Sequence, residues 1–207
     1  TLNQIVYLGL GANIGDRESS LFTAIAALDV RDEITVNRTA SIYETDPLYK
    51  IDQPKFLNSV VELEVSIQPE EMLQLCRGVE MMLGRPVKRD KNEPRLIDID
   101  ILAFETISVD FPNLKIPHPE LFSRKFVLVP WAEIAPNFLV QDYGKTVSEL
   151  LAICPDVSNV QKYNLEKSIG WEISIVREVN KFSAKIETIS NFQGAINYND
   201  ITWTKKE

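Results

Sequence analysis

Asp98 and Asp100 stand one residue apart inside the apolar run of "EPRLIDIDIL", among Ile97, Ile99, Ile101 and Leu102. In a strand, residues two apart project to one face, with Cα atoms roughly 6.5–7 Å apart. Both carboxylates therefore share a face while the isoleucines bury the other. Adjacent carboxylates repel and raise each other's pKa unless a cation lies between them. A hard divalent cation meets that need, and Mg²⁺ binds through one or two carboxylates together with phosphate oxygens and water. The alternative is an exposed strand face that happens to carry two acids.

The preceding loop bears on the choice. "GRPVKRDKNEPR" supplies Arg85, Lys88, Arg89, Lys91 and Arg95 in a chain whose net charge is −8. Lys115, His118, Arg124 and Lys125 follow the strand. Carboxylates for a metal beside cationic groups for phosphate are the parts that phosphoryl transfer needs. His118, the only histidine, lies in "IPHPE". It reads either as a structural ring between two prolines or as a phosphate contact.

Elements must position these groups. "IVYLGLGANIGDRESSLFTAIAALD" reads as strand, glycine turn and helix, with Asp16 as cap and Leu21, Ile25 and Leu28 at helical spacing. Residues 34–45 are β-rich, and Asp46-Pro47 ends them. Residues 56–66 alternate, with Leu57, Ser59, Val61, Leu63 and Val65 on one face and Phe56, Asn58, Val60, Glu62 and Glu64 on the other. Pro69 can start a helix that buries Met72, Leu75, Cys76, Val79 and Leu83 and closes at Gly84. The aspartate strand follows. This β-α-β-β-α-β order predicts an α+β protein with a ferredoxin-like core. Added helices follow in 117–136 and near 146–153. From about residue 156 the texture changes to period-two segments, "WEISIVREV", "FSAKIETIS" and "AINYNDITWT", read as a C-terminal β-rich extension. The expected division is 1–158 for the catalytic domain and 159–207 for the extension.

Composition sets the remaining bounds. The chain is 44% hydrophobic and 25% charged, which fits a globular protein. Its acidic balance argues against a general nucleic-acid surface. No apolar run near 18 residues and no signal peptide is visible, so neither a membrane partner nor export is expected. Cys76 and Cys154 fit no metal spacing, and Cys76 reads as a buried thiol in a reduced, cytoplasmic setting.

"YLGLGANIGD", "YETDPLYKIDQPKFLNSVVELE", "GVEMMLGR", "PRLIDIDILAF" and "IPHPELFSRKFVLVPWAEIAP" together resemble the 6-hydroxymethyl-7,8-dihydropterin pyrophosphokinase family of folate biosynthesis, over residues 4–153. The resemblance implies transfer of the β,γ-pyrophosphoryl unit of ATP to the hydroxymethyl oxygen of the dihydropterin, leaving AMP. It implies two Mg²⁺ ions on Asp98 and Asp100, with Arg85 and Arg95 as catalytic cations. Taken alone, Phe56 and Phe126 would be core residues; the resemblance makes them the two faces of a pterin sandwich. Asn58 and the backbone of Thr45, Pro47 and Leu48 complete the pterin set. Arg85, Arg95, His118 and Arg124 are carried to the ATP side, joined by Lys91, Lys115, Ile101 and Glu80. One departure concerns the loop. Many family members carry a Trp-Gly pair before the "PR" arginine, where this chain has Asn92 and Glu93. Loop 85–95 is accordingly expected to be the most mobile part of the catalytic domain.

Two other readings share the acid pair and the basic loop. One is a different metal-dependent enzyme acting on ATP without a pterin, and the other is a non-catalytic nucleotide- or protein-binding domain. Neither requires Phe56, Asn58 and Phe126. Residues 156–207 match nothing in the family. Trp171, Ile173 and Ile175, then Phe182, Ala184 and Ile186, then Ile201 and Trp203 are expected to line strand faces that pack on the catalytic domain or on a second copy. The chain is accordingly expected to be a monomer, or a homodimer through this extension.

Overall fold

The computed structural model describes residues 3–48, 52–85 and 93–164, and the backbone of three strands beyond them. Lys88, Arg89 and Lys91 lie outside the described residues, so the expectation about the mobility of loop 85–95 is not addressed there. The chain divides into two compact units, Thr1–Tyr163 and Asn164–Glu207.

In the first unit the strands are β1 (Gln4–Ala12), β2 (Ile34–Thr39), β3 (Tyr43–Thr45), β4 (Phe56–Val65), β5 (Asp98–Phe104), β6 (Val109–Phe111), β7 (Leu114–Ile116), β8 (Leu139–Val140), β9 (Lys145–Thr146) and β10 (Val160–Lys162). The helices are α1 (Arg17–Asp29), α2 (Pro69–Met82), α3 (Lys125–Ile134) and α4 (Val147–Ala152). The main sheet runs β10-β3-β4-β1-β5, with β2 also pairing to β4, and every neighbouring pair is antiparallel. β6 and β7 form one hairpin and β8 and β9 another.

Local chemistry accounts for the helix boundaries. The Asp16 carboxylate accepts from Ser19 N at 3.0 Å and so satisfies an otherwise unpaired donor of the first turn of α1. Pro69 starts α2, where its missing N–H costs nothing. The helix gives way to Leu83 and then Gly84, whose φ of 92° is a left-handed value that glycine adopts without strain. α1 and α2 pack on the sheet and on each other, while α3 lies on β4 and packs against α4.

β4 is buried along most of its length, Glu62 included. Glu62 is kept there by the Tyr7 hydroxyl, which donates to it at 2.7 Å, and by Arg38 Nε at 3.4 Å. Burial, and then this hydrogen bond, push the Tyr7 pKa up. Glu80 is the other unexpected buried acid, on the α2 face that holds Met72, Cys76 and Val79.

β10, for which the sequence reading had no strand, lies within 159–207 and adds to the edge of the main sheet; the two units divide at Asn164. In the second unit, β11 (Ser174–Asn180), β12 (Ser183–Thr188) and β13 (Gln193–Asn197) form a three-stranded antiparallel sheet. Trp171, Ile173, Phe182, Ile201 and Trp203 lie outside the described residues, as do the side chains of these strands.

Candidate active site

Three strands share one sheet face, and α3 with α4 covers only part of it. Tyr7, Val60 and Leu102 join the apolar cluster that contains Val127, Leu128, Trp131 and Leu150. The next residues of the same parity, Gly9 and Gly11, Asn58 and Phe56, and Asp100 and Asp98, line a cleft instead. Gly9 pairs with Asp100 and Gly11 with Asp98 across β1 and β5, so each carboxylate has a bare backbone beside it. A Cβ at Gly11 would approach Asn58 Oδ1 to 3.0 Å, which explains the glycine.

Asp98 and Asp100 share a face as expected, but their surroundings differ. Arg85 Nη1 lies 2.7 Å from Asp98 Oδ1, and Arg95 Nη1 pairs with Asp98 Oδ2. Asp100 has Arg124 Nη1 at 3.4 Å, and its side chain is 39% exposed. Although the outer edge of this carboxylate meets solvent, the cleft walls crowd out most of the water around it, and that loss, followed by the charge of Asp98, pushes the Asp100 pKa up to about 6, against the pull of Arg124, Arg95 and Arg85. Glu80 does not line the cleft. Its buried carboxylate pairs with Arg85 and accepts from Ile99 N at 2.8 Å, so it fixes a cation and the aspartate strand together.

The aromatic groups stand beside the cations. Arg95 lies 5.6 Å from the centre of the Phe56 ring and Arg124 lies 5.9 Å from that of Phe126. Asn58 Nδ2 donates to Thr45 Oγ1 at 2.8 Å, which orients the amide. Leu48, Asp46 and Gln53 complete that side of the cleft.

His118 also lines the cleft. Its Nδ1 accepts from Glu120 N at 3.2 Å, which leaves Nε2 to carry the proton. Burial, then the nearby Arg124, lower its pKa to about 4. The ring is thus a neutral donor, not a charge. In an NMR titration this sole histidine is expected to keep its neutral chemical shifts from pH 8 down to pH 5. A midpoint near 6.5 would refute that burial. A lowered histidine pKa means the unfolded chain takes up the proton first. This group's contribution to stability is therefore complete above about pH 6.5 and is lost as pH falls toward 4.

Some expected residues are not brought to the cleft. Lys115 sits on the β6–β7 hairpin, largely exposed, with Asp110 at 2.9 Å. Pro47 and Ile101 do not line the cleft, and Ile101 is buried in β5. Lys91 lies outside the described residues.

Other residues escaped the sequence reading. Asn13, 1% exposed, accepts from Arg95 N through Oδ1 at 2.7 Å and donates its own N–H to Arg95 O at 3.0 Å. Its Nδ2 donates to Gln53 Oε1 at 3.0 Å and Pro54 O at 3.2 Å. One side chain thereby joins the catalytic-side loop to the aromatic-side loop. Glu120 pairs with Arg124 and aims it. The only signal for Asn13 was its place in the glycine-flanked turn "GAN" after β1.

Such a sheet end, with cations grouped on a carboxylate pair next to aromatic faces, has the parts that transfer of phosphate groups needs. Comparison with known proteins narrows the class. The family model for 7,8-dihydro-6-hydroxymethylpterin-pyrophosphokinase matches residues 7–136, and the chain belongs to that family. It is 44% identical over 133 residues to the 2-amino-4-hydroxy-6-hydroxymethyldihydropteridine pyrophosphokinase of Bacillus subtilis, covering 64% of this chain and 79% of that protein. A folic acid synthesis protein of Dictyostelium discoideum is 29% identical over 201 residues, covering 97% of this chain and 29% of that protein. The crystal structure of Plasmodium falciparum HPPK-DHPS with pteroate has the same fold, at TM-score 0.59 and 16% identity. The match covers 73% of this chain, which spans about two fifths of the Plasmodium chain (42%). Among the described residues, no helix is long and apolar enough to cross a membrane.

Proposed function

We propose that this chain carries out its family's reaction at the β1–β4–β5 cleft: transfer of pyrophosphate from ATP to 6-hydroxymethyl-7,8-dihydropterin. The hydroxymethyl oxygen attacks the β-phosphorus, the bond to the α-phosphate oxygen breaks, and AMP leaves. The observation that carries this reading is that phosphate-binding cations and the Phe56, Asn58 and Phe126 set line one cleft. The ferredoxin-like assignment of the core, with the β-rich residues beyond it as an extension, belongs to the same proposal and is supported by the antiparallel order β3-β4-β1-β5. A cytoplasmic setting is supported by two free cysteines.

Among the described residues no group of three or more His, Cys, Asp or Glu could hold a metal. Two carboxylates alone suit Mg²⁺ that completes its shell with phosphate oxygens and water. Asp100 keeps a raised pKa although Arg124 Nη1 lies 3.4 Å away, because loss of water and the charge of Asp98 outweigh it, and a bound cation would offset both. Asp98 and Asp100 would hold the two Mg²⁺ ions of this proposal, which supply positive charge to the phosphates when bound.

The chain's own groups do the remaining work. Arg85 and Arg95 balance Asp98 until ATP arrives, then turn toward phosphate oxygens. The Arg95 guanidinium lines the cleft, and beyond its bond to Asp98 its planar fork suits a phosphate. Neutral His118 offers Nε2–H to a phosphate oxygen. Phe56 and Phe126 flank the pterin ring, and Asn58 reads its amide edge. Arg124 lies between Asp100 and Phe126, which supports a role for it next to both ATP and the pterin.

The test is an AMP-release assay with Mg²⁺ and ATP, with and without the hydroxymethyl-dihydropterin. AMP formation that depends on the pterin is expected. ATP turnover without it would favour a different metal-dependent enzyme, and no turnover under either condition would favour a binding domain.

A further inference from the structure

The segment after α4 lies outside the residues matched by the family model, yet it touches both walls of the aromatic slot. One wall is the first turn of α3, which carries Arg124 and Phe126. Asp156 Oδ2 accepts from Lys125 N at 3.0 Å, one of the donors that a helix start leaves unpaired, and Lys125 Nζ donates to Ser158 O at 3.2 Å. The other wall is β3 with the start of β4. There Val160 pairs with Thr45, Gln161 with Glu44 and Lys162 with Tyr43, while β3's opposite edge pairs with Phe56, Leu57 and Asn58. The segment then ends in a second anchor. Tyr163 N donates to Ile42 O at 2.8 Å, and its hydroxyl donates to Glu18 Oε1 at 2.6 Å at the start of α1.

We propose that Asp156–Tyr163 is a clasp that sets the spacing between the Phe126 wall and the Thr45–Asn58 wall, and so positions the pterin. This rests on the reading that the pterin occupies the slot between those walls. The physical argument is one of leverage. β3 has only three residues, and a strand that short holds its place by pairing on both edges. α3 begins at Lys125 with no side-chain cap of its own, so Asp156 supplies the acceptor there. The same clasp is the covalent path from the second unit, which starts at Asn164, to the slot.

The experiment compares Asp156→Ala, Asp156→Asn and Phe126→Ala in the full chain. Calorimetry measures the affinity for a non-reactive pterin analogue in the presence of a non-hydrolysable ATP analogue, and for the ATP analogue alone. A lost hydrogen bond to a charged group predicts that Asp156→Ala weakens the pterin analogue about tenfold. ATP-analogue affinity is expected to change less than about twofold by the same estimate. Asp156→Asn, which keeps an acceptor oxygen for Lys125 N, is expected to restore most of the loss. Unchanged pterin affinity in Asp156→Ala, or equal weakening of both ligands, overturns the clasp. If Asp156→Ala does not fold, Tyr163→Phe at the other anchor is read by the same criteria. Phe126→Ala separates the two claims. If it leaves pterin affinity intact, the slot reading itself fails; if it weakens the pterin while Asp156→Ala does not, only the clasp fails.

Discussion

Asp100→Asn is expected to reduce turnover by at least about a thousandfold at saturating Mg²⁺, while the folded protein persists. Metal charge on a transferring phosphate supplies several kcal/mol, and each 1.36 kcal/mol is a factor of ten. Asparagine keeps the shape of the side chain and removes the charge that a metal requires. The same change is expected to leave the melting temperature of the metal-free protein unchanged or higher at pH 8. The raised pKa of Asp100 carries the sign. Between its unfolded value and about 6 the native state holds a proton that the unfolded chain has lost, so stability declines as pH rises through that window. Above it the penalty is complete, and Asn escapes it. The advantage of the variant should therefore vanish near pH 4. Quenched-flow measurement of AMP and melting curves at two pH values check both parts. Near-normal turnover would remove Asp100 from the metal site.

Asp98 is not equivalent, which two aspartates in a strand do not reveal by sequence. It is held by Arg85 and Arg95, and truncating one partner of such a cluster costs far more than removing a repelling neighbour. Asp98→Ala is the variant in which lost activity and lost stability would be confounded.

Arg95→Ala is expected to lower the chemical step by about a hundredfold to a thousandfold, with ATP affinity changed far less. A preorganised donor facing charge that develops in the transition state has that value. The setting favours the assignment. Asn13 fixes the Arg95 backbone through both its N–H and its C=O, so the substitution removes the guanidinium without releasing the loop. Arg95→Lys keeps one charge but not the planar fork, and only partial recovery is expected. Single-turnover kinetics decide. If only ATP affinity falls while the bound complex reacts at the normal rate, Arg95 is a ground-state contact.

What was legible in the sequence follows the range of the interactions. The shared face of Asp98 and Asp100, the Asp16 cap and the Pro69 start are local rules of period and capping, and they appear in the structure as read. Phe56 and Phe126 carried no local signal that separates a slot from a core; motif resemblance singled them out, and the cleft does hold both. Asn13, Gln53 and Glu120 were missed because their roles come from partners joined only by folding, Asn13 to Arg95 across 82 positions. Lys115, carried over as a candidate by the resemblance, does not line the cleft. It sits on the β6–β7 hairpin with its ammonium beside Asp110, a pairing that only the hairpin register reveals. β10 was missed because three residues give too short an alternation to announce a strand.

The ten residues of α3 measure about 15 Å along their axis, whereas the ten of β4 extend about 33 Å. A helix that short leaves part of the strands beneath it uncovered, and the uncovered part carries the cleft of Asp98 and Asp100. A helical turn inserted before Lys125 would displace Arg124, which lines the cleft, so the size of the cleft is tied to the residue at which α3 begins.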